Sequence, residues 1–336
     1  MGIPICWQWD KGLDEIDKIN MQESPLVSVV CLCYNHEKFV RQALQSVFDQ
    51  TYPNIELVVV DDASTDNSRR VIEATIQGHE CRAHFLQENL GNTRAFNFAL
   101  QHCKGQYIVD LAADDLFTED RIEKQVNFFQ IQSDHIGVIY SDAHYIDEKG
   151  AVLGGHFTNP QYRPHTGDVY KYLIAEYFIP PPTMMMKKEV LDELGGYDGN
   201  LAYEDFDFWV RSSRNWHYGY QPEVLTLIRK TKGSLSTKAY NKKDRQLHST
   251  YLVCRKVKAM NDKAEENEAL IKRLAYEIRQ SVFSGNFEEA TLFIDLYREI
   301  VPLPIGLYFL KGLNTLKIDL SIFRYFYHKI YRRATW

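Results

Sequence analysis

Val27-Ser-Val-Val-Cys-Leu-Cys-Tyr-Asn35 and Ile55-Glu-Leu-Val-Val-Val-Asp-Asp-Ala-Ser-Thr-Asp66 are the stretches that decide the fold. Each is an apolar run rich in β-branched residues that turns polar at its C-terminal end. The segment between them carries apolar side chains at helical spacing, so the whole reads as strand–helix–strand. Such units build open α/β sheets, whose ligands sit outside the carboxyl ends of the strands. Asp61 and Asp62 stand at that edge. A second pair, Asp114 and Asp115, follows the later run Gln106-Tyr-Ile-Val-Asp-Leu111. Two carboxylate clusters at two strand ends suit a site that grips a nucleobase or ribose at one point and a divalent cation at another.

The alternation continues outward. Strand 27–33 leads to helix 37–49, with Asn35 as its cap and an end near Tyr52-Pro53. Strand 55–60 precedes helix 66–77, which Asp66 would cap, and a short strand near 83–87 precedes helix 92–103. Strand 106–111 is followed by helix 118–131 and strand 136–141. This predicts a mostly parallel sheet covered on both faces. Residues 150–182 are irregular, and beyond them strand 183–187, helix 188–194 and helix 204–214 are expected. From about Lys242 the pattern is helical, over 244–262, 264–284, 286–299 and 303–333. The chain therefore divides into a flexible arm (1–24), an α/β domain (25–240) and a helical C-terminal region (241–336).

The chain has 336 residues and a formal charge of −6, which argues against a general nucleic-acid binder. None of the 6 cysteines forms a Cys-x-x-Cys pair. Cys31 and Cys33, two apart in a strand, read as small core residues, and reduced thiols fit a cytoplasmic setting. The N-terminus lacks the basic and apolar regions of a secretory signal, and no apolar stretch is long enough to span a bilayer. No Gly-x-Gly-x-x-Gly follows a strand, which disfavours a dinucleotide oxidoreductase. A phospho-receiver domain would carry its acid pair after the first strand, and here the pair follows the second. In the segment 317–336, Lys317, Arg324, Lys329, Arg332 and Arg333 are interleaved with Phe323, Tyr325, Phe326, Tyr327, Tyr331 and Trp336. That mixture suits either a peripheral membrane contact or an aromatic stripe packed on neighbouring helices.

Five landmarks in order then resemble the inverting nucleotide-sugar glycosyltransferases of family 2, over residues 26 to about 235. They are the opening strand ending in Tyr34-Asn35, the Asp61-Asp62-Ala-Ser64-Thr-Asp66 turn, and Glu88-Asn-Leu-Gly91 with Ala95-Phe-Asn97. Ala112-Ala-Asp114-Asp115 and Tyr203-Glu204-Asp205-Phe-Asp-Phe-Trp-Val-Arg211 complete the set. The resemblance implies a GT-A fold, a Rossmann-like, mostly parallel sheet flanked by helices, here with a C-terminal helical appendage. Residues 25–145 would bind the nucleotide-sugar and 146–240 the acceptor. It further implies metal-dependent transfer, with Mn²⁺ or Mg²⁺, of a hexosyl or N-acetylhexosaminyl group from a nucleotide-sugar, expected to be a UDP-sugar. The acceptor would be a hydroxyl of a glycan or lipid-linked molecule in surface polysaccharide biosynthesis, on the cytoplasmic side. The alternative is a catalytically inactive nucleotide-sugar-binding protein.

The same resemblance assigns Asp115 to the cation and Asp114 to the cation or the ribose. Asp62 would accept the imide N–H of the base, with Leu32, Tyr34 and Glu37 lining that pocket. Asn89 would approach the donor, and Arg94 would meet a phosphate. Asp205 or Glu204 would be the general base, while Asp207 could satisfy Arg211 one turn on. Asp61 and Ser64 have a plain reading as turn formers, and the acids at 114–115 and 204–205 as residues at helix N-termini. Two departures stand out. Ala112 occupies the first position of the relatives' Asp-x-Asp-Asp, and Thr231 stands where relatives carry a histidine, with Lys230 and Lys232 as neighbouring sources of positive charge.

Overall fold

A computed structural model describes residues 24–160, 162–231, 240, 242 and 245–320. Residues 1–23 of the 1–24 arm, Lys232 and most of the 317–336 segment lie outside the described residues. Strands β1 (Val27–Cys33), β2 (Ile55–Asp61), β3 (Arg82–Phe85) and β4 (Tyr107–Ala112) pair in the order β3-β2-β1-β4, all parallel. The sheet continues through β8 (Met185–Lys187), β6 (Ile136–Ile146), β9 (His217–Arg229) and β5 (Leu116–Phe117), while β7 (Val152–Gly155) pairs with β6. The long ladders are parallel, β6 with β9 included. The antiparallel contacts of β8, β5 and β7 run for only two or three residues each.

Helices α1 (Val40–Phe48), α2 (Ser68–Thr75) and α4 (Arg121–Gln130) cover one face, where Cys31 and Cys33 lie buried among Val29, Val40, Leu44 and Val59. Helices α3 (Asn92–Leu100), α5 (Tyr170–Ala175), α6 (Lys188–Leu194) and α7 (Asp205–Ser212) serve the other face. There Phe96, Ile108, Tyr140, Phe208 and Trp209 interlock. Two buried faces explain why β1 is buried along its whole length and reads as a continuous apolar run.

The helical region comprises α8 (Arg245–Met260), α9 (Ala264–Ser284), α10 (Phe287–Arg298) and α11 (Ile305–Thr315). The last of these was expected to run to 333; it ends at Thr315, and Lys317 follows with a positive φ of 51°. These helices share a core with the α/β part: Tyr170, Ile174, Leu201, Phe206 and Val210 pack among Leu270, Ile278 and Phe293. Buried Arg273 crosses the seam, bonding the Ile174 carbonyl at 2.9 Å with its guanidinium 3.9 Å from the Tyr177 ring centroid. Lys256 of α8 reaches Asp198 and Asp207, each at 2.6 Å. No helix among the described residues is long and apolar enough to cross a membrane.

Several elements differ from expectation. Helix α1 starts at Val40, and Asn35 does not cap it. Its amide oxygen accepts the Thr65 N–H at 2.8 Å, which ties the end of β1 to the loop after β2. Asp66 likewise divides its carboxylate between the Ser68 and Glu37 amides, and α2 begins at Ser68. Strand β6 extends past Asp142 to Ile146. Pro181–Thr183 forms a 3₁₀ turn, so β8 starts only at Met185. The 13-residue β9 has no counterpart in the sequence reading. Pro222 and Glu223 fall out of its ladder between the pairs Ser141↔Gln221 and Asp142↔Val224. A proline cannot donate to a ladder, so the strand accommodates it in a bulge.

Candidate functional site

The strand order reverses between β1 and β4, so a crevice opens at their carboxyl ends. Both acidic turns hang from the end of β1. The Cys33 carbonyl accepts the Asp62 N–H at 2.9 Å, and the Leu32 carbonyl accepts the Ala113 N–H at 2.9 Å. Asp62 is buried, and its two oxygens accept the Leu90 and Gly91 amides at 2.7 and 2.9 Å. Asn89 completes the clasp by donating to the Asp62 carbonyl at 3.1 Å. Gly91 has φ +80°, a conformation open to glycine, and from it the chain enters α3. Each Asp62 oxygen keeps a second lone pair, so an incoming imide N–H could still be accepted. Beside it Leu32 is nearly covered, whereas Tyr34 is 46% exposed at the crevice rim. Glu37 bonds Asn67 through one oxygen, accepting both its backbone and side-chain N–H at 2.9 Å. Asp61 acts within its turn, accepting the Ser64 amide at 3.2 Å.

The second acidic turn is held by Arg229 at the end of β9. Its backbone N–H donates to Asp115 Oδ1 at 2.8 Å and its Nε to the Asp114 carbonyl at 2.9 Å. The rest of that guanidinium reaches the carbonyls of Asp147 and Glu148 and the side chain of Gln42. Asp115 is 3% exposed. Burial, reinforced by the Asp114 charge, pushes its carboxyl up to about 8. Asp114 approaches His36 Nε2 at 3.9 Å. Lys230 lies with its ammonium 4.1 Å from the Tyr145 ring centroid; burial lowers its pKa, and the Asp115 charge works the other way. Two adjacent carboxylates form a hard-oxygen donor set, which fits Mg²⁺ or Mn²⁺. Among the described residues no cluster of three or more ligating side chains surrounds them. A cation here would take its remaining ligands from water and diphosphate, the pattern usual for Mg²⁺.

The third cluster opens α7. Glu204 precedes the helix and accepts a 2.6 Å bond from Asn92 at the start of α3. The Asp205 carboxylate has no hydrogen-bond partner among the described residues. Burial first, then the charges of Glu204 and Asp110, hold its pKa well above the usual carboxylate range. Burial also raises Glu204, against the bond from Asn92. Asp207 sits on the opposite side of the helix start and is structural, bonding Arg211 Nε at 2.7 Å as well as Lys256. Arg211 in turn clamps the Leu194 and Gly196 carbonyls, and Asn97 exchanges two bonds with Tyr197. These contacts fix the Gly195-Gly196-Tyr197-Asp198 turn that carries the chain toward α7.

Asp110, which sequence reasoning passed over, joins the clusters. It lies in the middle of β4, and burial first, then the charges of Glu204 and Asp115, hold its pKa well above the usual carboxylate range, with Arg121 opposing them. Its signal was present as the lone carboxylate inside an otherwise apolar strand. Arg121 is fully buried beneath, its guanidinium 3.9 Å from the Phe117 ring centroid, with one terminal nitrogen lacking a partner among the described residues. Asn92 was also outside the candidates, and Lys230 entered only as a source of positive charge beside Thr231. Arg94 directs its Nε to the Gly199 carbonyl at 2.9 Å and lines a cavity below the helical region.

Comparison with known proteins follows the same outline. The family model described as glycosyl transferase family 2 matches residues 28–195. An uncharacterized glycosyltransferase of Rickettsia typhi is 30% identical over 205 residues, 60% of this chain and 63% of that protein. One from Methanocaldococcus jannaschii is 30% identical over 59% of this chain and 68% of its own length. One from Haemophilus influenzae is 28% identical over 87% of this chain and 97% of its own. Among solved structures, Staphylococcus aureus TarS residues 1–349 in complex with UDP-GlcNAc superposes with a TM-score of 0.66 at 19% identity, covering 87% of this chain and 89% of that one. A mannosyltransferase from Pyrobaculum calidifontis, in complex with GDP-Man and Mn²⁺, gives 0.55 at 18% identity, covering 89% and 86%.

Proposed function

The chain belongs to glycosyl transferase family 2 and has its GT-A fold, and from that premise we propose that it moves a sugar from a nucleotide-sugar, a UDP-sugar foremost, to an acceptor hydroxyl with inversion. The observation that carries this reading is the pair of acid clusters whose charges both act on Asp110: a strand-end pair suited to a cation, and a helix-start carboxylate without a hydrogen-bond partner among the described residues. Asp62, Leu32 and Tyr34 would receive the base, with Tyr34 stacking on it and Asn89 keeping Asp62 in place. Glu37 would order that rim, and Arg94 would act farther along the cleft. Asp115 and Asp114 would hold Mg²⁺ or Mn²⁺, which neutralises charge on a leaving diphosphate. Lys230 would add positive charge at the same edge in place of the histidine of relatives.

Asp205 is the proposed base. It takes the proton of the acceptor hydroxyl as that oxygen bonds the anomeric carbon. The bond from that carbon to the diphosphate breaks on the opposite face, and the diphosphate leaves with the electron pair. Glu204, fixed by Asn92, orients the acceptor. A glycan or lipid-linked acceptor of surface polysaccharide synthesis is the class this family reading favours. The deciding experiment is a panel of nucleotide-sugars with Mn²⁺, read as nucleoside diphosphate release with and without acceptor lipid or glycan extracts. One uridine-linked donor should be consumed well above the others. Donors that bind while none is consumed would instead establish an inactive sugar-nucleotide binder.

The raised Asp205 pKa gives a pH prediction. A base works only when deprotonated, so kcat should rise about tenfold per pH unit on its acid limb. The midpoint should lie above the ordinary carboxylate value of about 3.9. A profile of kcat under saturating donor and Mn²⁺ checks it; a rate already flat at pH 5 would remove Asp205 as base.

A further inference from the structure

A cavity of about 1010 Å³ opens where the α/β part meets the helical region. One wall is the start of α3 and the Gly199–Ala202 loop; the other is α8, the start of α10 and Lys317. Its inner end touches the reaction site, because Asn92 lines the cavity and bonds Glu204. Arg94 and Arg245 face it from the two walls, with Lys317 beside them. Among the described residues none of these three cations has an ion pair. Lys242 also lines the cavity, paired with Asp319 at 2.6 Å. The opposing acids in the lining are Glu288 and Glu289, both in the first turn of α10, where the helix dipole already compensates them.

Guanidinium and ammonium groups on facing walls, without an ion pair among the described residues, are what a phosphate-bearing chain requires, since arginine forks match phosphate oxygens. We propose that this cavity is an acceptor subsite for a phosphate-bearing portion of the acceptor, held next to the hydroxyl that is glycosylated. The inference rests on the reading of Glu204 and Asp205 as the acceptor end of the site. The bound group carries its phosphate one or more residues away from the reacting sugar or alcohol, so the charge anchors the chain while the hydroxyl reaches Asp205. The source of that phosphate is either a soluble phosphodiester polymer or the headgroup of a lipid-linked acceptor.

Calorimetry with inorganic tripolyphosphate tests it, on full-length protein saturated with UDP and Mn²⁺ so that the donor site is filled. The wild type should bind the probe. The charge reversal Arg245→Glu/Lys317→Glu should weaken binding at least about tenfold, and Arg245→Gln/Lys317→Gln should fall between. UDP affinity should be the same in all three, which establishes folding. Phosphatidylglycerol vesicles form the second arm: sedimentation with them that the charge reversal abolishes assigns the phosphate to lipid, and tripolyphosphate binding without sedimentation assigns it to a soluble polymer. Absence of binding in both arms, or equal binding by wild type and charge-reversed protein, overturns the proposal. Because no turnover is read, an error in the choice of base leaves this outcome interpretable and shows separately as an active Asp205→Asn enzyme.

Discussion

Asp205→Asn should lower the rate of sugar transfer by about 10²–10⁴-fold, the range that a positioned general base contributes. The substitution keeps the shape of the side chain and removes only its capacity to take a proton. Since Asp205 makes no hydrogen bond among the described residues, no structural contact is lost with it. UDP affinity should therefore stay within about twofold of wild type, and the defect should appear in kcat. Single-turnover transfer and UDP calorimetry on the same preparation separate the two effects. Glu204→Gln provides the contrast. It retains a group able to bond Asn92, so its loss should be smaller; the reverse order of severity would make Glu204 the base.

A second large effect is expected at Asp115. Asp115→Asn should reduce UDP affinity in Mn²⁺ to the value that wild type shows with chelator, a fall of roughly 10²-fold given several kcal/mol from cation–phosphate contact. Uridine, which lacks the diphosphate, should bind both proteins alike. The dependence should also follow pH. A proton competes with the cation for a carboxyl raised to about 8, so Mn²⁺-dependent UDP affinity should climb as pH rises toward that value and then level. Equal UDP affinity with Mn²⁺ and with chelator in the wild type would remove the metal role altogether.

Much of this was legible in the sequence because the signals were local. A buried parallel strand is an apolar run, and β1, β2 and β4 could be read with their polar ends, which placed Asp62, Asp114 and Asp115 at one edge. Signals that depend on distant partners were misread. Asn35 and Asp66 look like helix caps, but their side chains bond each other's loops across 29 and 30 residues of sequence, and that tertiary pairing displaces both helix starts. Strand β9 was hidden by Pro222, which locally forbids a ladder and in the fold occupies a bulge. Asp110 was read as one more strand residue. Only the approach of α7 from far along the chain turns it into the link between the acid clusters.

Helix α7 has a consequence for how such enzymes can be recombined. Within its 8 residues, Phe208 and Trp209 belong to the core against the sheet, while Phe206 and Val210 belong to the core shared with α9 and α10. Its first residue is the proposed base, and Asp207 is tied to Lys256 of α8. One short element thus seats the helical region and aims the proposed base. A chimera that grafts foreign helices after residue 240 would leave α7 packed on mismatched partners and tilt Asp205 with it. Donor recognition, built on β1, β2 and β4, would survive the exchange. Acceptor specificity and the helical region are therefore expected to be inherited as one block whose natural junction lies before α7, not after it.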